Sequence, residues 1–330
     1  MLARQTCDDR YSFFWCKSDV LASGFNIGLS PNSIIRKPVF YKYTPVITVT
    51  VANLYFNFTN MYNPSNTSQV HTPVKTFQVD ALAGRLYNQE AELTQEAAKV
   101  AQHYLQHLLT QQSSAAVLLA TGNSQIKFLE ALIGMGGIDW SRIALFHLDE
   151  YLGITAEHPA SFRRYLRERV ERRIQPAVFH YIEGDTMQPL AECQRYTQLL
   201  MAQPIDLCCL GLGDNGHLAF NEPSVAAFDD PHYVKLVKLE LATRQQQVRQ
   251  GHFPVLEAVP QYAFTLTIPM LCLARKILCL VAGKHKALAV KEMLHQPIFA
   301  EYPASVLRTT AQATLFLDAD AASELRSFTR

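Results

Sequence analysis

The pattern of apolar and polar positions changes character near residue 75. Residues 1–74 are rich in Phe, Tyr, Asn, Ser and Thr and show no sustained helical period. The β-prone run from Tyr41 to Tyr62 is interrupted by Pro45 and several asparagines. This part is read as a poorly packed N-terminal extension, with Met61 as an alternative start. From Lys75 the pattern is orderly. Leu93, Ala97, Val100, Ala101, Tyr104, Leu105 and Leu108 share one face of a long helix. Ala116 to Ala120 reads as a buried strand, followed by a helix with Phe128, Leu129, Leu132 and Ile133 inward and Gly136-Gly137 at its end. The next strand, Arg142 to Leu148, exits at Asp149-Glu150. A helix then turns Phe162, Tyr165, Leu166 and Val170 inward, and six arginines between Arg163 and Arg173 read as its solvated face.

Strands and helices go on alternating. Val178 to Ile182 predicts a strand, Leu190 to Met201 a helix and Ile205 to Leu210 a strand buried on both faces. Further strands are predicted at Tyr233 to Leu239, Ala263 to Ile268, Ile277 to Val281 and Thr314 to Leu317, with helices at Leu241 to Gln250 and Lys284 to Leu294. This alternation predicts an α/β fold over residues 75–330: one doubly wound, mainly parallel sheet in a single Rossmann-like catalytic domain, with helices on both faces.

Composition narrows the function. Thirty basic and 29 acidic residues leave a formal charge of +1, which gives no global case for nucleic acid or an anionic membrane. No apolar run approaches the ~18 residues of a membrane span. Seven cysteines without a CxxC pair, three of them in apolar runs, predict free thiols in a reducing, cytoplasmic setting.

In a doubly wound sheet the carboxyl ends of neighbouring strands converge on one crevice, so three strand ends carry the candidate chemistry. Thr121, Gly122, Asn123 and Ser124 precede a helix, where backbone N–H groups and two hydroxyls suit an anion. An ordinary turn with Ser124 as N-cap fits the same residues. Asp149 leaves its strand half desolvated, as a general base or as a capping acid. Gly211 to Pro223 gathers Asp214, Asn215, His217, Asn221 and Glu222 beside three glycines. Its GxGxxG is discounted as a dinucleotide fingerprint, because Pro223 stops any helix that would open there. No HxxxH or HExxH spacing supports a metal.

With these strand ends in view, the chain from about Lys75 to Ser323 resembles the glucosamine-6-phosphate deaminase family, related to 6-phosphogluconolactonase. Gly216-His-Leu-Ala-Phe-Asn-Glu-Pro223 is similar to its GHIAFNEP signature, and Leu148-Asp-Glu-Tyr-Leu-Gly153 to its MDEYVG. His158 to Ser161, Thr243-Arg244 and Lys284 to Leu288 follow in family order. The resemblance implies conversion of glucosamine 6-phosphate and water to fructose 6-phosphate and ammonia, with no cofactor and no metal. It implies His217 as the ring-opening acid–base group, oriented by Asn215 and Glu222, and Asp149 as carrier of the C2 proton to C1. Phosphate falls to the loop from Thr121 to Ser124, to Arg249 (with Arg244 as the alternative) and to Lys286. The expected partner is a small-molecule sugar phosphate, with a homo-oligomer left open. Val225 to Lys238 lacks the basic pattern of members that bind an amino-sugar activator, so that regulation is not expected. The competing readings are an isomerase or lactonase for another phosphorylated sugar, such as galactosamine 6-phosphate or 6-phosphogluconolactone, and a non-catalytic sugar-phosphate sensor.

Overall fold

In a computed structural model, which describes residues 71–325, the alternating apolar runs become two sheets wrapped by helices. The strands are β1 (Lys75–Val79), β2 (Leu82–Tyr87), β3 (Ala115–Leu119), β4 (Ile143–His147), β5 (Asp149–Tyr151), β6 (Val178–His180), β7 (Leu207–Gly211), β8 (Val234–Lys238), β9 (Tyr262–Leu266), β10 (Ile277–Val281) and β11 (Ala313–Asp318). The helices are α1 (Glu90–Gln111), α2 (Asn123–Gly134), α3 (Phe162–Arg169), α4 (Pro189–Met201), α5 (Leu241–Arg249), α6 (Ile268–Cys272) and α7 (Ala287–His295). The expected extension lies outside the described residues except for 71–74. There His71 N–H donates to Glu96 over 2.8 Å and the chain runs into β1.

The main sheet has eight strands in the order β1-β2-β11-β10-β7-β3-β4-β6, and only the β1–β2 pair is antiparallel. Its central strands are apolar at every position because both faces are covered. In β3, Ala116 and Leu118 point into one core while Ala115, Val117 and Leu119 point into the other; β7 and β10 divide in the same way. The apolar stripes of α1 and α2 close one face, and those of α4 and α7 close the other. Each fully buried Leu or Phe contributes about 1.5–3 kcal/mol relative to exposure, so the alternation fixes which residue faces which layer.

Three expectations are corrected. The strands predicted at Tyr233 and Ala263 do not join the main sheet. As β8 and β9 they pair antiparallel, and β5 adds to β9 to complete a three-stranded sheet. β5 is only three residues long, too short to leave a period in the sequence. The second correction concerns the six arginines. Arg163 is buried rather than solvated, and it bonds Asp185 at 2.9 Å and the carbonyl of Ile154 at 2.7 Å. The segment predicted as a helix from Lys284 opens with a 3-10 turn, Lys284–Lys286, before α7.

The sheet order reverses beside β3. From β3 the chain builds outward through β4 and β6, then returns to lay β7 on the other side. The crevice at such a switch point is where open α/β sheets take ligands.

Candidate active site

A cavity of about 730 Å³ opens at this switch point. Residues following five main-sheet strands line it: Thr121 to Ser124 after β3, Leu148 and Asp149 after β4, Gly213 and His217 after β7, Gly283, His285 and Lys286 after β10, and Asp318 at the end of β11. The size suits a small ligand.

Asp149 sits where the chain leaves β4 for the small sheet, opposite Thr265 of β9. It is 8% exposed. Burial, and then the neighbouring Glu150 carboxylate, push its pKa up to about 8. Glu150 itself is fully buried and turned away. Its two oxygens accept from the N–H groups of Tyr151, Phe162 and Arg163 and from the Ser161 hydroxyl, at 2.8–3.2 Å. It thus caps α3 and locks the strand that presents Asp149. Arg163 is drawn inward beside it, with Nε 3.7 Å from the carboxylate.

The turn after β7 is held on the same strand, β9. Phe220 N–H donates to Thr265 Oγ1 at 3.1 Å, and Asn221 Nδ2 donates to the carbonyls of Leu218 and Leu266 at 2.9 and 2.7 Å. Ala219 takes a left-handed φ of 53° in this clamp, where a non-glycine residue is strained. His217 Nδ1 lies 2.6 Å from Asn215 Oδ1. An amide oxygen only accepts, so Nδ1 carries the hydrogen and the Nε2 lone pair is left for proton transfer. Burial, and then the Lys286 charge, lower the pKa of His217 to about 4, so the ring is neutral near pH 7.

Gly213 makes room for that ring: a Cβ there would meet it at 2.3 Å. Gly213→Ala is therefore expected to displace His217, lowering kcat at least ~10-fold and costing about 1–3 kcal/mol of stability by overpacking. Steady-state assays and thermal melts check this.

Glu222 is fully buried but does not line the cavity. Glu240 N–H donates to its carboxylate at 2.7 Å, and with the Thr243 hydroxyl this opposes the upward pull of burial on its pKa. Among the described residues no hydrogen bond joins Glu222 to His217, so Asn215 alone of the two expected partners touches the ring.

The loop at residues 121–124 borders the cavity at the start of α2. The N-cap is Gly122, whose φ of 103° no L side chain adopts readily, and Ser124 lies inside the first turn. Tyr165 Oη donates to the Gly122 carbonyl at 3.1 Å, and buried Gln125 ties α2 to β7 through Leu210 O at 3.2 Å. Lys286 also lines the cavity. Arg249 does not reach the cavity; it is exposed in the last turn of α5. Arg244 holds the carbonyls of Leu256 and Val259 at 2.8 and 2.9 Å.

Further lining residues come from α5 and its C-terminal loop: Thr243, Gln246, Gln247, Gln250 and His252. The first four repeat at i, i+3, i+4 and i+7, a polar stripe that marks one helix face in the sequence. Among the described residues no group of three or more His, Cys, Asp or Glu is placed to hold a metal ion. No helix among them is long and apolar enough to cross a membrane.

Comparison with known proteins places this architecture. The family described as glucosamine-6-phosphate isomerases/6-phosphogluconolactonase matches residues 88–316. Glucosamine-6-phosphate deaminase 2 of Bacillus subtilis is 34% identical over 245 residues, covering 72% of this chain and 96% of its own length. The glucosamine-6-phosphate deaminase of an Exiguobacterium species is 31% identical over 233 residues, covering 71% and 89%. Among solved structures, a monomeric glucosamine-6-phosphate deaminase superposes with a TM-score of 0.67 at 31% identity, over 73% of this chain and 99% of its own. A 6-phosphogluconolactonase from Shewanella baltica shares the fold at a TM-score of 0.59 and 19% identity, over 75% and 100%. The chain therefore belongs to the family of glucosamine-6-phosphate isomerases and 6-phosphogluconolactonases.

Proposed function

We propose that the protein is an amino-sugar-phosphate deaminase/isomerase that converts glucosamine 6-phosphate and water to fructose 6-phosphate and ammonia. The observation that carries this reading is the pairing, on one cavity wall hung from β9, of a buried carboxyl with a raised pKa and a neutral histidine fixed by an amide. The relatives above 30% identity support it, since they are glucosamine-6-phosphate deaminases. The free state of the five described cysteines fits a reducing, cytoplasmic setting.

The chemistry follows from the two groups. A closed sugar ring opens when a proton moves from the anomeric hydroxyl to the ring oxygen. His217 performs that transfer through Nε2, neutral before and after. Asp149, as carboxylate, then removes the C2 proton while the C2 ammonium passes a proton to O1, giving an enolamine, and Asp149 returns its proton at C1. The resulting C2 iminium takes up water and releases ammonium, leaving the ketose phosphate. Glu222, held by Glu240 and Thr243, fixes the wall behind His217 rather than touching the ring.

Phosphate is gripped by the first turn of α2 and by Lys286. Lys286→Ala is expected to raise KM about 10- to 100-fold with a smaller fall in kcat, the loss of one charge-assisted contact. Steady-state kinetics measure that split.

Three substrates offered in parallel test the proposal: glucosamine 6-phosphate, galactosamine 6-phosphate and 6-phosphogluconolactone. Ammonia from an amino sugar supports it. Lactone hydrolysis without ammonia from either amino sugar overturns it, and phosphate binding without any turnover identifies a sensor instead.

A further inference from the structure

Among the described residues lining the cavity, Lys286 is the one Lys or Arg, set against the acids Glu90, Asp149, Asp318 and Asp320. A phosphate dianion that enters has this one cation to meet. That cation is already engaged. Lys286 Nζ lies 2.5 Å from Oδ1 of Asp214, and Gln246 Nε2 donates to Oδ2 over 2.7 Å. The three residues come from three separate places: the turn after β7, the middle of α5 and the 3-10 turn after β10. The Lys286 side chain is 14% exposed and that of Asp214 is 41% exposed, so the cation is largely desolvated while its partner faces water.

We propose that Asp214 stands in for the substrate phosphate at Lys286 until substrate arrives, and that it thereby sets phosphate affinity. This rests on the reading of the cavity as a sugar-phosphate site. A desolvated ammonium needs an acceptor, and the Asp214 carboxylate supplies one of the same kind as a phosphate oxygen. Phosphate carries about −1.5 to −2 charge and three acceptor oxygens, so it displaces a single carboxylate that water can rehydrate. Leaving Asp214 in contact instead would set like charges side by side. The exchange also loosens Gln246 from Asp214. Asp214 acts through Lys286 and is a positioning residue.

The test titrates inorganic phosphate calorimetrically into the full-length wild type, Asp214→Asn, Asp214→Glu, Lys286→Ala and the Asp214→Asn/Lys286→Ala double variant, beside steady-state kinetics with glucosamine 6-phosphate. Asp214→Asn is expected to bind phosphate about 3- to 10-fold more tightly, with KM falling and kcat not rising in step. Asp214→Glu keeps the charge and is expected to restore wild-type affinity, and Lys286→Ala is expected to erase the gain in the double variant. Unchanged or weaker phosphate binding by Asp214→Asn, or a gain that survives loss of Lys286, overturns the proposal. Asp214→Ser carries the same test where Asp214→Asn does not fold. A wild type that releases ammonia while Asp214→Asn binds phosphate no tighter sinks this inference alone. A wild type with neither turnover nor phosphate binding sinks the proposed function with it.

Discussion

Replacing Asp149 with Asn is expected to cut ammonia release by about 1,000-fold or more and, at the same time, to make the protein more stable at pH 8. The activity loss follows from the role: an amide cannot take the C2 proton, and the Glu150 carboxylate next to it is saturated by four donors facing α3. The stability gain follows from linkage. The Asp149 pKa is raised from 3.8 to about 8 in the folded state. The folded protein therefore binds a proton that the unfolded chain has released across that window. Stability associated with this group is complete below about pH 3.8 and is lost as pH rises through about 8. An Asn carries no charge to bury, so the variant escapes that loss. We expect about 1–2 kcal/mol, or roughly 3–6 °C in Tm, at pH 8 and little difference near pH 4. Thermal melts of both proteins across pH 4–9, with ammonia assays at each pH, check the two halves together. Equal stability at pH 8 contradicts the burial argument, and retained turnover contradicts the role.

His217→Gln is expected to lower kcat about 100- to 1,000-fold while KM moves less than ~3-fold, because the α2 turn and Lys286 still hold the phosphate. The pH profile carries the sharper expectation. His217 is neutral above about 4 and Asp149 is ionised only above about 8. The pH dependence of kcat/KM, which reports the free enzyme, should therefore rise toward pH 8 on the Asp149 ionisation, with no step near the ordinary histidine value. A rise centred near 6.5 assigns the limb to His217 and contradicts the burial and the Lys286 charge that hold its pKa down.

Much of this arrangement is legible in the sequence, for identifiable reasons. Strands buried on both faces leave unbroken apolar runs, so β3, β4, β7, β10 and β11 stand out together with their carboxyl-end turns. The Asn215–His217 contact spans two residues within one turn and is equally readable. The small sheet was not, since β5 has three residues and the period of β8 is compatible with either sheet. The hairpin of β1 and β2 leaves no clear signal either, because β1 alternates half-buried and exposed positions over only five residues. Glu222 illustrates a different limit. Its place in the Gly216 to Pro223 run suggests contact with His217, but its partners sit at Glu240 and Thr243, 18 and 21 residues on, where spacing carries no signal. The Asp214–Lys286 pair, 72 residues apart, joins two loops that only the strand order of the main sheet brings together.

In the proposed function, Asp149 and His217 together turn an amino sugar phosphate into a ketose phosphate. Following glucosamine 6-phosphate with the full-length protein by NMR, and counting both products, tests it most directly. One ammonium ion is expected for each fructose 6-phosphate formed, at the same rate. Consumption of the sugar without ammonium, or no consumption while 6-phosphogluconolactone is hydrolysed, would contradict it.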